Sequence, residues 1–429
     1  MRKSVSIAIL LIALLLFGNS KAYCAALQSK SCRLEHVSDT IGRAEEEDII
    51  EVPAGKCTWG EKIVVNKRVT IRGAGISQTI VGPYGFDIDD GVDNVRITGF
   101  TFDGGDNSPV SQTSPPFLIG NPNSVGAKNF RIDHCKFLNY TNASASFWYV
   151  IRINGYSYGL IDNVIFEDCG GETIWIVADT STAWSRSKKV GQYTNGTVFI
   201  ENCSFVLTSD ASGTIRNAID ANAGARFVLR YSTFKDHKNK TWTRFLEVHG
   251  ACSRGSGPRE DASIRGVVSA EIYENTFTTF NSGVGNWYNI RGGRGVVYNN
   301  RLIGRNWGGN LLTLTNFRSS SNLCVQCDNS LARQFASCPE QGGGDDYPAR
   351  DQVNNLYIWN NTYGTSGTEN LIIPVLTGDY CVPYHIKAGR DYFTEKMSAF
   401  KPYDYPHPLI EATSILAAAP APPKKLRIQ

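Results

Sequence analysis

Phe199-Ile200-Glu201-Asn202-Cys203-Ser204-Phe205 packs a strand, a short polar turn and a second strand into seven residues. Its anchors are Ile200 and, five positions on, Phe205. The same spacing joins Ile97 to Phe102, Ile132 to Phe137, Ile161 to Phe166 and Leu229 to Phe234. It continues with Ile272 and Phe277, Val297 and Leu302, and Ile358 and Tyr363. Anchors recurring at short, uneven intervals describe a basic repeat carrying insertions. One such coil cannot bury its own apolar face, whereas stacked coils form long parallel sheets around a continuous interior of Ile, Val, Phe and Cys.

Composition agrees with strands and turns. The 429 residues include 41 glycines and only two methionines, with many Asn, Thr and aromatic residues, which disfavours long helices. Against 43 basic residues stand 40 acidic ones, and a net charge of +3 gives no sign of a nucleic-acid partner.

The ends read as non-core segments. Arg2 and Lys3 precede an apolar run from Val5 to Phe17 and small residues near Ser20 and Ala22, the pattern of a cleaved secretory signal over residues 1–26. That run is too short for stable membrane insertion, so the expected location is extracellular or periplasmic. Export makes disulfides the default for the 11 cysteines, with Cys32 and Cys57 tying down an N-terminal cap. Cys324, Cys327 and Cys338 crowd into an insertion near 316–350 that interrupts the body, taken as 27–410. Residues 411–429 are Ala- and Pro-rich, then basic, and read as a disordered tail.

The Pro53-Ala54-Gly55 entry, Ile71-Arg72-Gly73-Ala74-Gly75 and the turns Glu201-Asn202-Cys203 and Glu274-Asn275-Thr276 carry a resemblance. The chain resembles a secreted right-handed parallel β-helix protein of the pectate-lyase-like superfamily, over roughly Asp48 to Tyr363. Gly389-Arg390-Asp391-Tyr392-Phe393 and Tyr405-Pro406-His407-Pro408-Leu409 are similar to the ends of bacterial β-helix repeat proteins. The resemblance implies an all-β solenoid with loop insertions acting on, or binding, an acidic polysaccharide, and a monomer.

Three segments carry the candidate chemistry: Ala218-Ile219-Asp220-Ala221-Asn222, Leu246-Glu247-Val248-His249 and Asn289-Ile290-Arg291. Alternation turns Ile219, Val248 and Ile290 inward, and Asp220, Asn222, Glu247, His249, Asn289 and Arg291 outward. Stacked about 5 Å apart, the outward residues form one patch. Arg152 and Asn154 join the column, Asp179 ends a neighbouring strand, and Arg226, Arg254, Arg265 and Arg294 are expected in the following turns or loops. The other histidines, His36, His134, His237, His385 and His407, lack such a constellation and read as surface or cap residues. Trp175, Trp287 and Tyr288 are either packing residues or the floor of a sugar-binding groove.

Elimination from a uronate needs a neutralised carboxylate, a base for the proton at C5 and an acid for the leaving oxygen. Arg226, Arg291 or Arg294 could neutralise, His249 is the candidate base, and Ca²⁺ held by Asp220 and Glu247 could share the task. The expected substrate contacts are Arg152, Asn154, Asn222, Asn289, Arg265 and Arg294. Pectate lyases of the resembled superfamily use calcium-binding carboxylates and an arginine base, and this sequence does not match their motif residue by residue. A glycoside hydrolase using Asp220 and Glu247, with Asp179 in reserve, is the second reading. A non-catalytic polysaccharide-binding or surface-structural solenoid is the third.

Overall fold

The structure is a computed structural model, and it describes residues 25–105, 115–122, 124–141, 148–178, 191, 193, 196–208, 215–249, 267–280, 286–304, 307, 311–315, 353–376 and 386–411. Residues 1–24 of the expected signal segment, the 316–350 insertion with its cysteines, and residues 412–429 lie outside these, as do Asp179, Arg254, Arg265 and His385, whereas Ala26, the last residue of that segment, is in the strand Ala26–Gln28.

Three parallel sheets of twelve, ten and eleven strands wind around one interior, each successive strand pairing with its equivalent one coil later. In the third sheet a single antiparallel pair, at Asn370–Leu371, closes one end. This is a right-handed parallel β-helix, the hand that parallel crossovers take.

The five-residue spacing has a physical cause. All eight first anchors lie in the first sheet and all eight second anchors in the third, paired in unbroken columns. Two positions after each first anchor the backbone turns left-handed: Gly99, His134, Asn163, Asn202, Tyr231, Glu274, Asn299 and Asn360. That residue makes the corner between sheets, which is why Asn recurs there. Inside the next sheet Phe166, Phe205, Phe234 and Phe277 stack with centroids 4.4 to 4.6 Å apart. One residue past the corner, Asn275, Asn300 and Asn361 form a buried ladder in which each amide donates to a backbone carbonyl, and Asn275 and Asn300 also donate to the next amide oxygen.

Cys135 and Cys203 occupy that same slot in earlier coils, and with Cys169 they are free and buried. The expectation of pairing therefore fails for these three, because each thiol points into the stacked interior. Cys32 and Cys57 do form a disulfide, beside the helix Leu34–Arg43 that covers the N-terminal end with Val37 and Ile41.

The outer face of the first sheet is not open. Leu160, Phe199, Val228, Tyr273 and Val296 pack beneath Met397, Phe400, Tyr403, Leu409 and Ile410 of the C-terminal segment. His407 belongs to this strap and is fully buried against Phe199 and Tyr403, so its expected surface position is corrected. With the first sheet strapped, the polar outer face of the second sheet is where the candidate residues gather.

Candidate functional site

Register assembles the central column. Arg152, Trp175, Asp220, Glu247, Asn289 and Thr313 are successive partners across the second sheet. His249 and Arg291 extend the next outward row: His249 N–H donates to the Ala221 carbonyl, and Arg291 N–H to that of Val248. Neighbouring rungs of a sheet lie ~4.8 Å apart, close enough for direct side-chain bonding.

The contacts are dense. His249 Nε2 lies 3.1 Å from Asp220 Oδ2 and 3.5 Å from Glu247 Oε1. Arg291 Nη2 pairs with Glu247 Oε1, and Arg244 Nη1 donates to Glu247 Oε2 at 2.8 Å. Asn217 Nδ2 donates to Asp220 Oδ2 at 3.0 Å. On the side away from Glu247, Arg216 Nη1 is 3.6 Å from Glu172 Oε1. The site thus holds three carboxyl groups, one imidazole and three guanidinia on adjacent rungs.

Electrostatics sets distinct states for them. Burial pushes Glu172 up to about 8, reinforced by the charges of Asp220 and Glu247 and opposed by Arg216. Burial works against ionisation of Glu247 too, but His249, Arg291 and Arg244 outweigh it and hold that carboxyl below its ordinary value. For His249 desolvation favours the neutral ring, yet Asp220 and Glu247 prevail and raise its pKa.

Glu172, Asn217 and Arg244 did not emerge from the alternation pattern. The strands of the last two place two consecutive residues inward, Ala218-Ile219 and Phe245-Leu246, all fully buried in the core. The polar residue before each pair therefore faces the same side as the one after it, three positions on rather than two. An Arg or Asn followed by two apolar residues and a carboxylate was the available signal.

Arg226 and Arg294 fall outside the expected turns and loops. Ala223-Gly224-Ala225 is so short a turn that Arg226 already begins a strand of the first sheet, Arg226–Arg230. Arg294 likewise lies in Gly293–Tyr298, after a Gly293 whose positive φ and closeness to the Val267 carbonyl leave no room for a side chain. Both arginines are buried in strands, not placed in turns or loops. Asn154 is buried, donating to the Gly120 carbonyl and accepting from Arg152 Nε. Asn289 accepts from Thr313 Oγ1, and Asn222 caps the turn by accepting from Ala223 N–H. These three asparagines hold backbone and neighbours in place.

Trp287 and Tyr288 are core residues. Trp175 differs: half-buried, it stacks on Tyr149 at 4.1 Å and lies beneath the Arg152 guanidinium at 4.7 Å. Arg152 is thereby fixed two rungs from Asp220.

One ligand atom each from Asp220, Glu247 and His249 lies within 4.8 Å of the others, a geometry that could hold a metal ion. The donor set does not suit calcium, which takes six or more oxygens and not an imidazole nitrogen. Guanidinia already engage both oxygens of Glu247. A mixed nitrogen and oxygen set fits a borderline metal better.

No protein-family model matches the chain, and no curated protein matches it. Among solved structures it is similar to an alginate lyase from Paenibacillus sp. str. FPU-7, at 14% identity and TM-score 0.34, covering 65% of this chain and 95% of that one. It is also similar to the PL6 family alginate lyase AlyGC, at 13% identity and TM-score 0.37, covering 83% of this chain and 50% of that one. A third, ORF18 of Geobacillus virus E2, shares 12% identity at TM-score 0.18, over 73% and 59% of the two chains. Likenesses this distant leave the chemistry to the residues themselves. Three long parallel sheets, coil upon coil, make the architecture a right-handed parallel β-helix.

Proposed function

We propose that the protein is a secreted polysaccharide lyase that cleaves a uronate-containing chain by β-elimination in the groove over the second sheet. The observation that carries this reading is the His249–Asp220 contact of 3.1 Å, set among arginines on a face the C-terminal strap leaves uncovered. With its proton on Nε2 shared with Asp220, neutral His249 carries its lone pair on Nδ1 and can take the C5 proton. The resulting imidazolium can return that proton to the leaving oxygen, so one group serves as base and then acid. Arg244 and Arg216, whose side chains are 32% and 30% exposed, are better placed to meet a substrate carboxylate than Arg291, at 9%. Arg291 instead keeps Glu247 ionised and in position. Export is supported by the N-terminal pattern and the Cys32–Cys57 disulfide.

Hydrolysis by Asp220 and Glu247 fits less well. A general acid needs a raised pKa, and Glu247 is held below its ordinary value by His249, Arg291 and Arg244 against the desolvation that opposes them. The test is ultraviolet absorbance of unsaturated uronate products across a panel of acidic polysaccharides, alginate included, with wild type and folded His249→Ala. Absorbance that rises for one substrate and vanishes in the variant is expected. New reducing ends without absorbance would establish a hydrolase, and silence on both would leave a binding or structural solenoid.

A further inference from the structure

Along the corner between the first and third sheets, Asn163, Asn202, Tyr231, Glu274, Asn299 and Asn360 form one row of left-handed residues. Tyr231 is the exception in it. Left-handed backbone, here at φ 54°, suits Asn and Gly but is unfavourable for a bulky aromatic residue. Asn makes the same corner in the two coils before and in two of the three after, so the fold does not require the ring. A strained residue that packing does not demand points to a role at the surface.

Tyr231 is 38% exposed, and Tyr405 of the C-terminal strap, 46% exposed, lies beside it with ring centroids 4.1 Å apart. Both rings are held. Tyr231 packs edge-on to Tyr273 at 6.4 Å. Fully buried Arg230 donates to the Tyr403 and Asp404 carbonyls and lies 5.2 Å from the Tyr405 ring, while Tyr405 Oη donates to Asn202 Oδ1 at 2.9 Å. Side chains fixed in advance lose little freedom on meeting a ligand.

The flanks of the pair are polar. Register puts Asn202 and Glu274 on either side of Tyr231, with Asn299 next, and Asn299 Nδ2 donates to Glu274 Oε1 at 2.6 Å. Aromatic rings open to water receive the C–H face of a pyranose, and amide and carboxylate groups beside them meet its hydroxyls. Rungs ~4.8 Å apart repeat at about the spacing of sugar units in an extended chain. A protein partner would call for a continuous apolar patch, which these polar neighbours interrupt. Of the six side chains in the row only Glu274 is charged, so a uronate is repelled there and an uncharged sugar is not.

We propose that Tyr231 and Tyr405 form a binding site for an uncharged polysaccharide, on a corner apart from the groove over the second sheet. The site holds the protein to a glycan and takes no part in bond cleavage. It stands without the lyase reading, because binding is measured without turnover.

Affinity electrophoresis of the full chain through gels containing laminarin, xylan or glucomannan tests it, with alginate gels alongside. Wild type is expected to be retarded by at least one of the uncharged polymers. Tyr231→Asn, which installs the residue that neighbouring corners use, should weaken that binding about tenfold while the urea unfolding midpoint stays level or rises. Tyr405→Ala should weaken it as well. No retardation of wild type by any uncharged polymer overturns the proposal, and so does retardation that survives both substitutions. Retention by alginate that Tyr231→Asn abolishes would overturn the choice of an uncharged ligand. Should either variant lose stability, Glu274→Ala at the exposed flank decides: weaker binding supports the site, and unaltered binding overturns it.

Discussion

His249 Nε2 lies 3.1 Å from Asp220 Oδ2, across two adjacent coils whose strands pair Asp220 with Glu247. This contact fixes which ring nitrogen carries the proton, and through it the reactivity of the other. Under the lyase reading, His249→Ala should lower kcat about 10²–10⁴-fold while leaving the unfolding transition close to that of wild type. Asp220→Asn keeps the shape but removes the charge that raises the histidine pKa, and should lower kcat more than it raises KM. Steady-state kinetics with a urea melt on each variant would check this, and unaltered kcat in both would remove His249 from the chemistry.

Arg152, fixed over Trp175 two rungs from Asp220, predicts a different signature. A guanidinium that distance from the reacting sugar can hold a neighbouring uronate without taking part in proton transfer. Arg152→Ala should therefore raise KM for long substrates several-fold, with little effect on kcat and less on short oligomers. Comparing polymer with short oligosaccharide in the same assay separates this from a loss of folding.

Most of the solenoid was legible because its period is written in large apolar residues: Ile97 to Phe102 and its seven counterparts mark both sheets and the corner between them. Asp220, Glu247, His249 and Arg291 were legible for the same reason, standing next to inward Ile219, Val248 and Ile290. Asn217 and Arg244 were not, since a doubled inward pair breaks strict alternation. The burial of His407 was equally hidden, because it arises from a contact with Phe199 some two hundred residues away in sequence, which no local pattern carries.

The asparagine ladder should be a major source of rigidity. Asn300 donates to the Ile272 and Tyr298 carbonyls and to Asn361, and accepts from Asn275. Asn300→Ala leaves several buried groups unsatisfied, at about 1–3 kcal/mol each. The chemical-denaturation midpoint should fall markedly, whereas replacing exposed Asn299, one residue earlier at the corner, by Gly should leave it nearly unaltered.

Two buried groups, one in the C-terminal strap and one in the first sheet, should drive stability in opposite directions with pH. Burial, aided by Arg230 and Arg131, lowers His407 to about 3. The unfolded chain then binds more protons than the folded one, so this contribution is present above the ordinary histidine value of 6.5 and is lost as pH falls toward 3. Burial raises Glu271 to about 7 even though Tyr193 Oη and Gly191 N–H donate to it. Here the folded chain keeps the proton longer, so stability falls as pH rises from the ordinary 4.5 toward 7. Between those two ordinary values, 4.5 and 6.5, the two effects partly cancel, a tenfold difference in proton affinity between folded and unfolded chain being worth ~1.4 kcal/mol. Relative to wild type, His407→Gln should therefore gain stability on acidification through that window, and Glu271→Gln should lose it. Denaturation series on the three proteins at stepped pH would check both signs, and parallel curves would show that neither group is buried in the state described.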